Sequence, residues 1–129
     1  MKIIFLLAII LNSCSVTHKI SETEIKELRF GRGGGVSGIE KVYMLKKDGK
    51  IIGENGPIID EISKKEVLEL YQEAQKFKNL TYKNPQNIYS YITIISESGE
   101  NRIVWGIEHA SLDDEILKLH TKLMNKIDQ

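Results

Sequence analysis

The chain has 129 residues, 41% hydrophobic and 28% charged, with 18 basic residues balanced by 18 acidic ones. That length suits one small domain with its own core and excludes large catalytic folds such as a kinase. Charges of both signs are interspersed without a basic block, which argues against a nucleic-acid partner, and a single cysteine leaves no internal disulfide and no cysteine-based metal cluster.

Lys2 is followed by an unbroken apolar run, Ile3 to Leu11. As a helix that run reaches roughly 14 Å, well short of a hydrocarbon core of about 30 Å, so it reads as a secretory signal and not as a membrane span. Leu11-Asn12-Ser13-Cys14 resembles the bacterial lipobox, with Asn12 its least usual member. The resemblance implies that residues 1–13 are a signal peptide, that Cys14 is acylated by palmitate-type chains, and that 14–23 is a lipidated tether. Each buried methylene contributes about 0.8 kcal/mol, so two or more chains hold a protein stably on a bilayer. Removing Lys2 leaves 17 basic and 18 acidic residues, a net charge of 17 − 18 = −1. Ser15-Val16-Thr17-His18-Lys19 has no acidic residue beside the cysteine. That resembles the pattern of lipoproteins sent to the outer membrane, facing the periplasm.

Residues 24–129 are expected to form a single α+β domain. Ile25 to Phe30 predicts a strand. Lys41 to Lys47 and Lys50 to Gly53 flank Asp48-Gly49, a strong hairpin signal. Ser63-Lys64-Lys65-Glu66 has the form of a capping box, with Ile62 and Val67 placed as a hydrophobic staple, and Val67, Leu70, Tyr71, Ala74 and Phe77 make a helical stripe. Ile88 to Ser96 and Asn101 to Gly106 flank Ser98-Gly99, a second hairpin signal. A register centred there pairs Ile94 with Ile103 and Ile92 with Trp105 on one face, and places Tyr89, Tyr91, Thr93 and Arg102 on the other. A second helix is expected from Ser111, with Leu112, Ile116, Leu119, Leu123 and Ile127 as its stripe. Glu66-Val67-Leu68-Glu69-Leu70 is echoed by Glu115-Ile116-Leu117-Lys118-Leu119, and Tyr43 and Tyr91 stand in similar places before them. The expected architecture is therefore two antiparallel hairpins each followed by a helix, β-ββα-ββα, with the helices packed on one face of an antiparallel sheet.

Phe30-Gly31-Arg32-Gly33-Gly34-Gly35-Val36-Ser37-Gly38 is the segment with the most functional look. Gly33, Gly35 and Gly38 satisfy the dinucleotide-binding spacing, yet a strand follows where the phosphate site needs a helix N-terminus. The glycines then serve backbone geometry, or let a partner approach closely with Arg32 beside them. The candidate recognition surface is Arg32, Gly33, Gly34 and Gly35 with Tyr89, Tyr91 and Arg102. His18, His109 and His120 have no ligand spacing, so neither a metal nor a cofactor is expected. Asp60-Glu61 and Asp113-Asp114-Glu115 read as helix approaches and not as a catalytic carboxylate pair.

Phe30-Gly31-x-Gly33-Gly34-Gly35-x-x-Gly38, Tyr43-x-Leu45-x-x-Asp48-Gly49 and Trp105-Gly106 together resemble a group of small bacterial lipoproteins of uncharacterised function. The resemblance implies a membrane-anchored envelope protein and no activity that can be carried over residue by residue. The expectation is a non-enzymatic binding, accessory or inhibitor-like module with an envelope protein as partner. A small envelope hydrolase built around Arg32, Tyr89 and Trp105 is one alternative, and a purely structural lipoprotein is another.

Overall fold

The computed structural model describes residues 23–128. The expected signal peptide, Cys14 and all but the last residue of the 14–23 tether lie outside them. Seven strands and two helices follow in the order β1 (Ile25–Gly34), β2 (Lys41–Lys46), β3 (Lys50–Ile52), β4 (Ile58–Glu61), α1 (Lys64–Gln75), β5 (Lys83–Asn84), β6 (Ile88–Ser96), β7 (Gly99–Trp105) and α2 (Asp114–Asn125). All the strands join one sheet in the order β4-β3-β2-β1-β6-β7-β5. Its pairs are antiparallel except β5 with β7, which is parallel.

This corrects the expected β-ββα-ββα architecture of helices packed on an antiparallel sheet. The molecule is dominated by one mixed seven-stranded sheet, with only two helices. The expected leading strand is the centre of that sheet: β1 pairs with β2 along one edge and with β6 along the other, so it fuses the two hairpins. Two further strands, β4 and β5, lie beyond β3 and β7. The apparent repeat fails on geometry as well. Tyr43 lies opposite Phe30, their ring centroids 5.8 Å apart, and packs on the core, whereas Tyr91 lies opposite Gly31 and points to the other face.

Local chemistry accounts for the turns. β2 ends at Lys46 and β3 begins at Lys50, leaving Lys47-Asp48-Gly49 as a three-residue loop. Gly49 takes φ 93° and its N–H donates to the Lys46 carbonyl at 3.0 Å, while the Asp48 carboxylate accepts from the Lys50 N–H at 3.0 Å. A Cβ on Gly49 would land on the Ile62 carbonyl oxygen. In the second hairpin Ser96 pairs with Gly99, so the turn is Glu97-Ser98, not Ser98-Gly99. The strands therefore slip by two residues: Ile92 meets Ile103, Ile94 meets Asn101 and Thr93 meets Arg102. An even slip leaves every side chain on its expected face and relieves the opposition of Glu97 and Glu100 that the other register imposes.

The helices start on capped turns. Ser63 Oγ accepts from the Glu66 N–H at 3.2 Å, but the Glu66 carboxylate accepts from Lys126 Nζ of α2 at 2.7 Å, so only half of the capping box forms. α2 begins at Asp114, three residues later than the expected start at Ser111, with the Asp113 carboxylate accepting from the Glu115 N–H at 2.9 Å. Val67, Leu70, Tyr71 and Ala74 of α1 and Ile116, Leu119 and Leu123 of α2 share one core with Leu28, Phe30, Leu45, Ile92, Ile94, Ile103 and Trp105 of the strands. The Tyr71 hydroxyl donates to the Leu45 carbonyl at 2.8 Å, so this buried phenol is satisfied.

Gly56 has nearly the same backbone as Gly49, φ 91°, but open space where a Cβ would point. Gly56→Ala is expected to cost about 1 kcal/mol, the price of a left-handed alanine, and Gly49→Ala roughly 3 kcal/mol because Ile62 must move as well. Urea denaturation of the two variants measures the difference, and equal midpoints would refute it.

Candidate functional site

β1 alternates. Leu28 and Phe30 enter the core, and Glu27, Arg29, Gly31 and Gly33 point to the opposite face of the sheet. The register assembles that face row by row: Arg29, Thr93 and Arg102 lie side by side across β1, β6 and β7, then Gly31, Tyr91 and Val104, then Gly33 and Tyr89. Glycine leaves room for the tyrosines in the last two rows. A Cβ on Gly31 would collide with the Lys41 carbonyl and stand 3.0 Å from the Tyr91 hydroxyl, and one on Gly33 would stand 2.6 Å from the Tyr89 ring. Each tyrosine thus lies down over a glycine of the neighbouring strand, a cross-strand arrangement that restores packing where glycine offers none.

Polar bonds fix both rings. The Tyr91 hydroxyl donates to the Lys41 carbonyl at 2.8 Å, and the Tyr89 hydroxyl donates to Glu40 Oε1 at 3.0 Å. Arg102 lies over Tyr91, its guanidinium carbon 4.2 Å from the ring centroid, and donates to the same Glu40 oxygen. Burial, reinforced by Glu40 and opposed by Arg102, pushes the Tyr91 phenol well above its usual range, so it stays a neutral donor. Glu27, nearly buried, accepts from Arg29 Nε at 2.7 Å and from Lys46 Nζ. Burial alone would raise that carboxyl, but the two cations outweigh it and hold it below its usual value. Arg29 also approaches Glu100 at 3.6 Å. Between these groups lies a depression of about 390 Å³, bordered by Arg29, Glu40, Tyr91, Thr93, Glu100 and Arg102.

Tyr89, Tyr91 and Arg102 are therefore brought together on one face, with Gly33 beneath Tyr89. Gly34 and Gly35 close β1 with φ 86° and 80°, the Gly35 N–H donating to the Asn87 carbonyl at 2.8 Å. They shape the end of the strand. Arg32 is separated from the rest: its parity is that of Phe30, and its charge is felt at His120 of α2 on the other side of the sheet. Trp105 is in the core. Arg32, Tyr89 and Trp105 consequently do not converge on a common pocket. Glu40 and Arg29 escape the sequence reading, which already places Thr93 on this face. Arg29 follows from the alternation once the register is known, whereas Glu40 precedes a strand and carries no local signal.

On the core side, His120 is buried, its Nε2 3.0 Å from the Gly31 carbonyl and its ring edge-on to Trp105 at 5.1 Å. A carbonyl only accepts, so Nε2 carries the proton. Among the described residues no three or more His, Cys, Asp or Glu side chains come together as metal ligands.

Burial lowers the His120 pKa below its ordinary 6.5, against a weaker opposing effect of the Gly31 bond. The unfolded chain then binds the proton more readily, and stability is lost as pH falls below about 6.5. The Glu27 carboxyl, also held low, acts in the same direction only below about pH 4.5. Urea titrations are expected to show stability falling between pH 7.5 and 5.5 in the wild type, with a flatter profile in His120→Gln; parallel profiles would exclude His120 as the source. No family model matches the chain, and neither a curated protein nor a solved structure is significantly similar to it.

Proposed function

We propose that the protein is a cell-envelope lipoprotein, held on a bilayer by acyl chains at Cys14, which binds an envelope protein through the sheet face that carries Arg29, Tyr91, Thr93 and Arg102. The tether rests on the sequence alone: a charged start, a short apolar run and a cysteine closing a lipobox-like tetrapeptide. The binding role rests chiefly on one observation, the guanidinium of Arg102 held over the ring of Tyr91 outside the core. Aromatic and arginine side chains dominate interface energetics, and groups already fixed before contact lose little freedom on binding. Tyr89 lies on the opposite face of the sheet from Arg32 and Trp105, which supports the binding reading over a hydrolase built on those three.

Two experiments test the two parts. Cys14→Ala is expected to abolish acyl labelling and move the protein from the membrane to the soluble fraction. Continued labelling or membrane retention would end the lipoprotein reading. Crosslinking of the tethered wild type in its native envelope is expected to capture a protein that is lost in Arg102→Gln and retained in Arg32→Gln. A partner set that depends on Arg32 instead would place the interface on the other side of the sheet.

A further inference from the structure

We infer that the Arg29–Thr93–Arg102 row is a carboxylate-binding subsite, taking an acidic side chain from the partner protein in exchange for Glu40. This deepens the binding role proposed above and rests on it.

The row places two guanidinium groups on either side of Thr93, across adjacent strands spaced about 4.8 Å apart. Each is held by other contacts: Arg29 by Glu27 Oε2 at 2.7 Å, Arg102 by the ring of Tyr91. Among the described residues, Arg102 has one ionic partner, Glu40, through Nη2. Arg102 and Thr93 both border the depression, and a guanidinium carries five N–H donors, of which Glu40 engages one at Nη2. Arginine presents its donors as a planar fork that matches a carboxylate, so a fixed arginine with an uncommitted edge is a receptor for one.

Glu40 identifies the ligand chemistry. One of its oxygens already accepts from both Arg102 and the Tyr89 hydroxyl, which makes it an internal carboxylate in the position a partner's carboxylate would take. Its attachment is weak, because the Glu40 and Arg102 side chains are 30% and 37% exposed and an ion pair in contact with water adds little. Glu40 stands outside β2, so its side chain can leave without breaking the ladder. The depression is bordered by Arg29, Lys83 and Arg102 against Glu40 and Glu100, a local charge of 3 − 2 = +1 that becomes 3 − 1 = +2 when Glu40 withdraws. Val42 and Tyr91 give the floor an apolar part, which favours a peptide segment over a bare phosphate or a lipid headgroup.

The test uses the full acylated chain in uncharged detergent micelles, titrated into a fluorescent hexaglutamate peptide and a matched hexaglutamine peptide. Hexaglutamate is expected to bind and hexaglutamine not. Arg102→Gln should weaken binding about tenfold or more, and Glu40→Gln should tighten it roughly threefold or more by removing the internal competitor. Glu40→Gln is isosteric, and its expected effect is a gain that a misfolded variant cannot imitate. Equal binding of the two peptides, or no tightening in Glu40→Gln, overturns the inference. So does displacement of the peptide by inorganic phosphate, or preferential capture by vesicles containing anionic phospholipid, either of which assigns the row to a phosphate group. If Arg102→Gln loses the crosslinked envelope partner while Glu40→Gln leaves peptide binding unchanged, the face stands and the carboxylate falls. If the partner set is unchanged in both variants, the face itself is wrong.

Discussion

Everything on this molecule is placed by a single strand that is hydrogen-bonded along both edges. β1 is paired from Glu27 to Arg32 with β2 and from Ile25 to Gly34 with β6. A strand in that position has no freedom to rotate, and its side chains leave alternately above and below the sheet. Leu28 and Phe30 thereby enter the core, and Glu27 and Arg29 go to the other face. Where the alternation would put further side chains on that face, the sequence has Gly31 and Gly33. The vacancy is filled from β6 by Tyr91 and Tyr89. Tyr91 is only 1% exposed although it lies outside the core cluster, because strand backbone lies beneath it and an arginine above. Glycine, tyrosine and arginine form a three-layer stack whose order the backbone dictates.

The charges on that face differ in what they do, and burial decides between them. The Glu27 side chain is 9% exposed and has two cationic partners. Removing both partners would strand a desolvated carboxylate, which costs several kcal/mol even though the intact cluster contributes little over an apolar replacement. Glu27 is therefore a fixture that holds Arg29 and ties β1 to β2. The Glu40–Arg102 pair is far more hydrated, and such pairs contribute about 0–1 kcal/mol. One acid locks an arginine in place while the other merely covers an arginine, a distinction that charge alone would never reveal.

The parts of this fold that could be read from the sequence are those in which a local signal coincides with the tertiary outcome. Asp48-Gly49 makes its turn because the positive φ is required whatever surrounds it. The stripes of α1 and α2 are apolar because they are buried, and Ser63 caps its helix through a bond three residues away. The errors are equally physical. β4 and β5 have four and two residues, too few for a periodic pattern, and β5 is recruited by parallel pairing with a strand that follows it by fifteen residues or more in the chain. The glycine run looks like a loop because glycine disfavours strands in isolation, yet ladders on both sides override that preference. Tyr89, Tyr91 and Arg102 were legible as a shared face because a two-residue slip preserves parity. Arg32 lies on the opposite face because the expected strand, Ile25 to Phe30, stopped short of it, and the ladder that carries β1 on to Gly34 gives it the parity of Phe30.

That same strand also orders the chemistry along its length. The described chain arrives at Ile25, and at about 3.3 Å per residue the rows follow outward: Glu27 with Lys46 and Glu100's strand, then Arg29 with Thr93 and Arg102, then the tyrosines. Beyond them, at the far end, Ile88 and the connecting residues Val36, Ile39 and Ile107 are exposed aliphatics. In the tethered arrangement proposed above, a partner approaching from the aqueous side would meet the aliphatic rim first and the arginine row last. Apolar contact at the rim would lower the local dielectric over the row behind it, and hydrogen bonds between a guanidinium fork and a carboxylate strengthen as water leaves. The weakly held Glu40 stands between the two regions, at the entrance to β2, where displacement of its side chain would couple the first contact to the second.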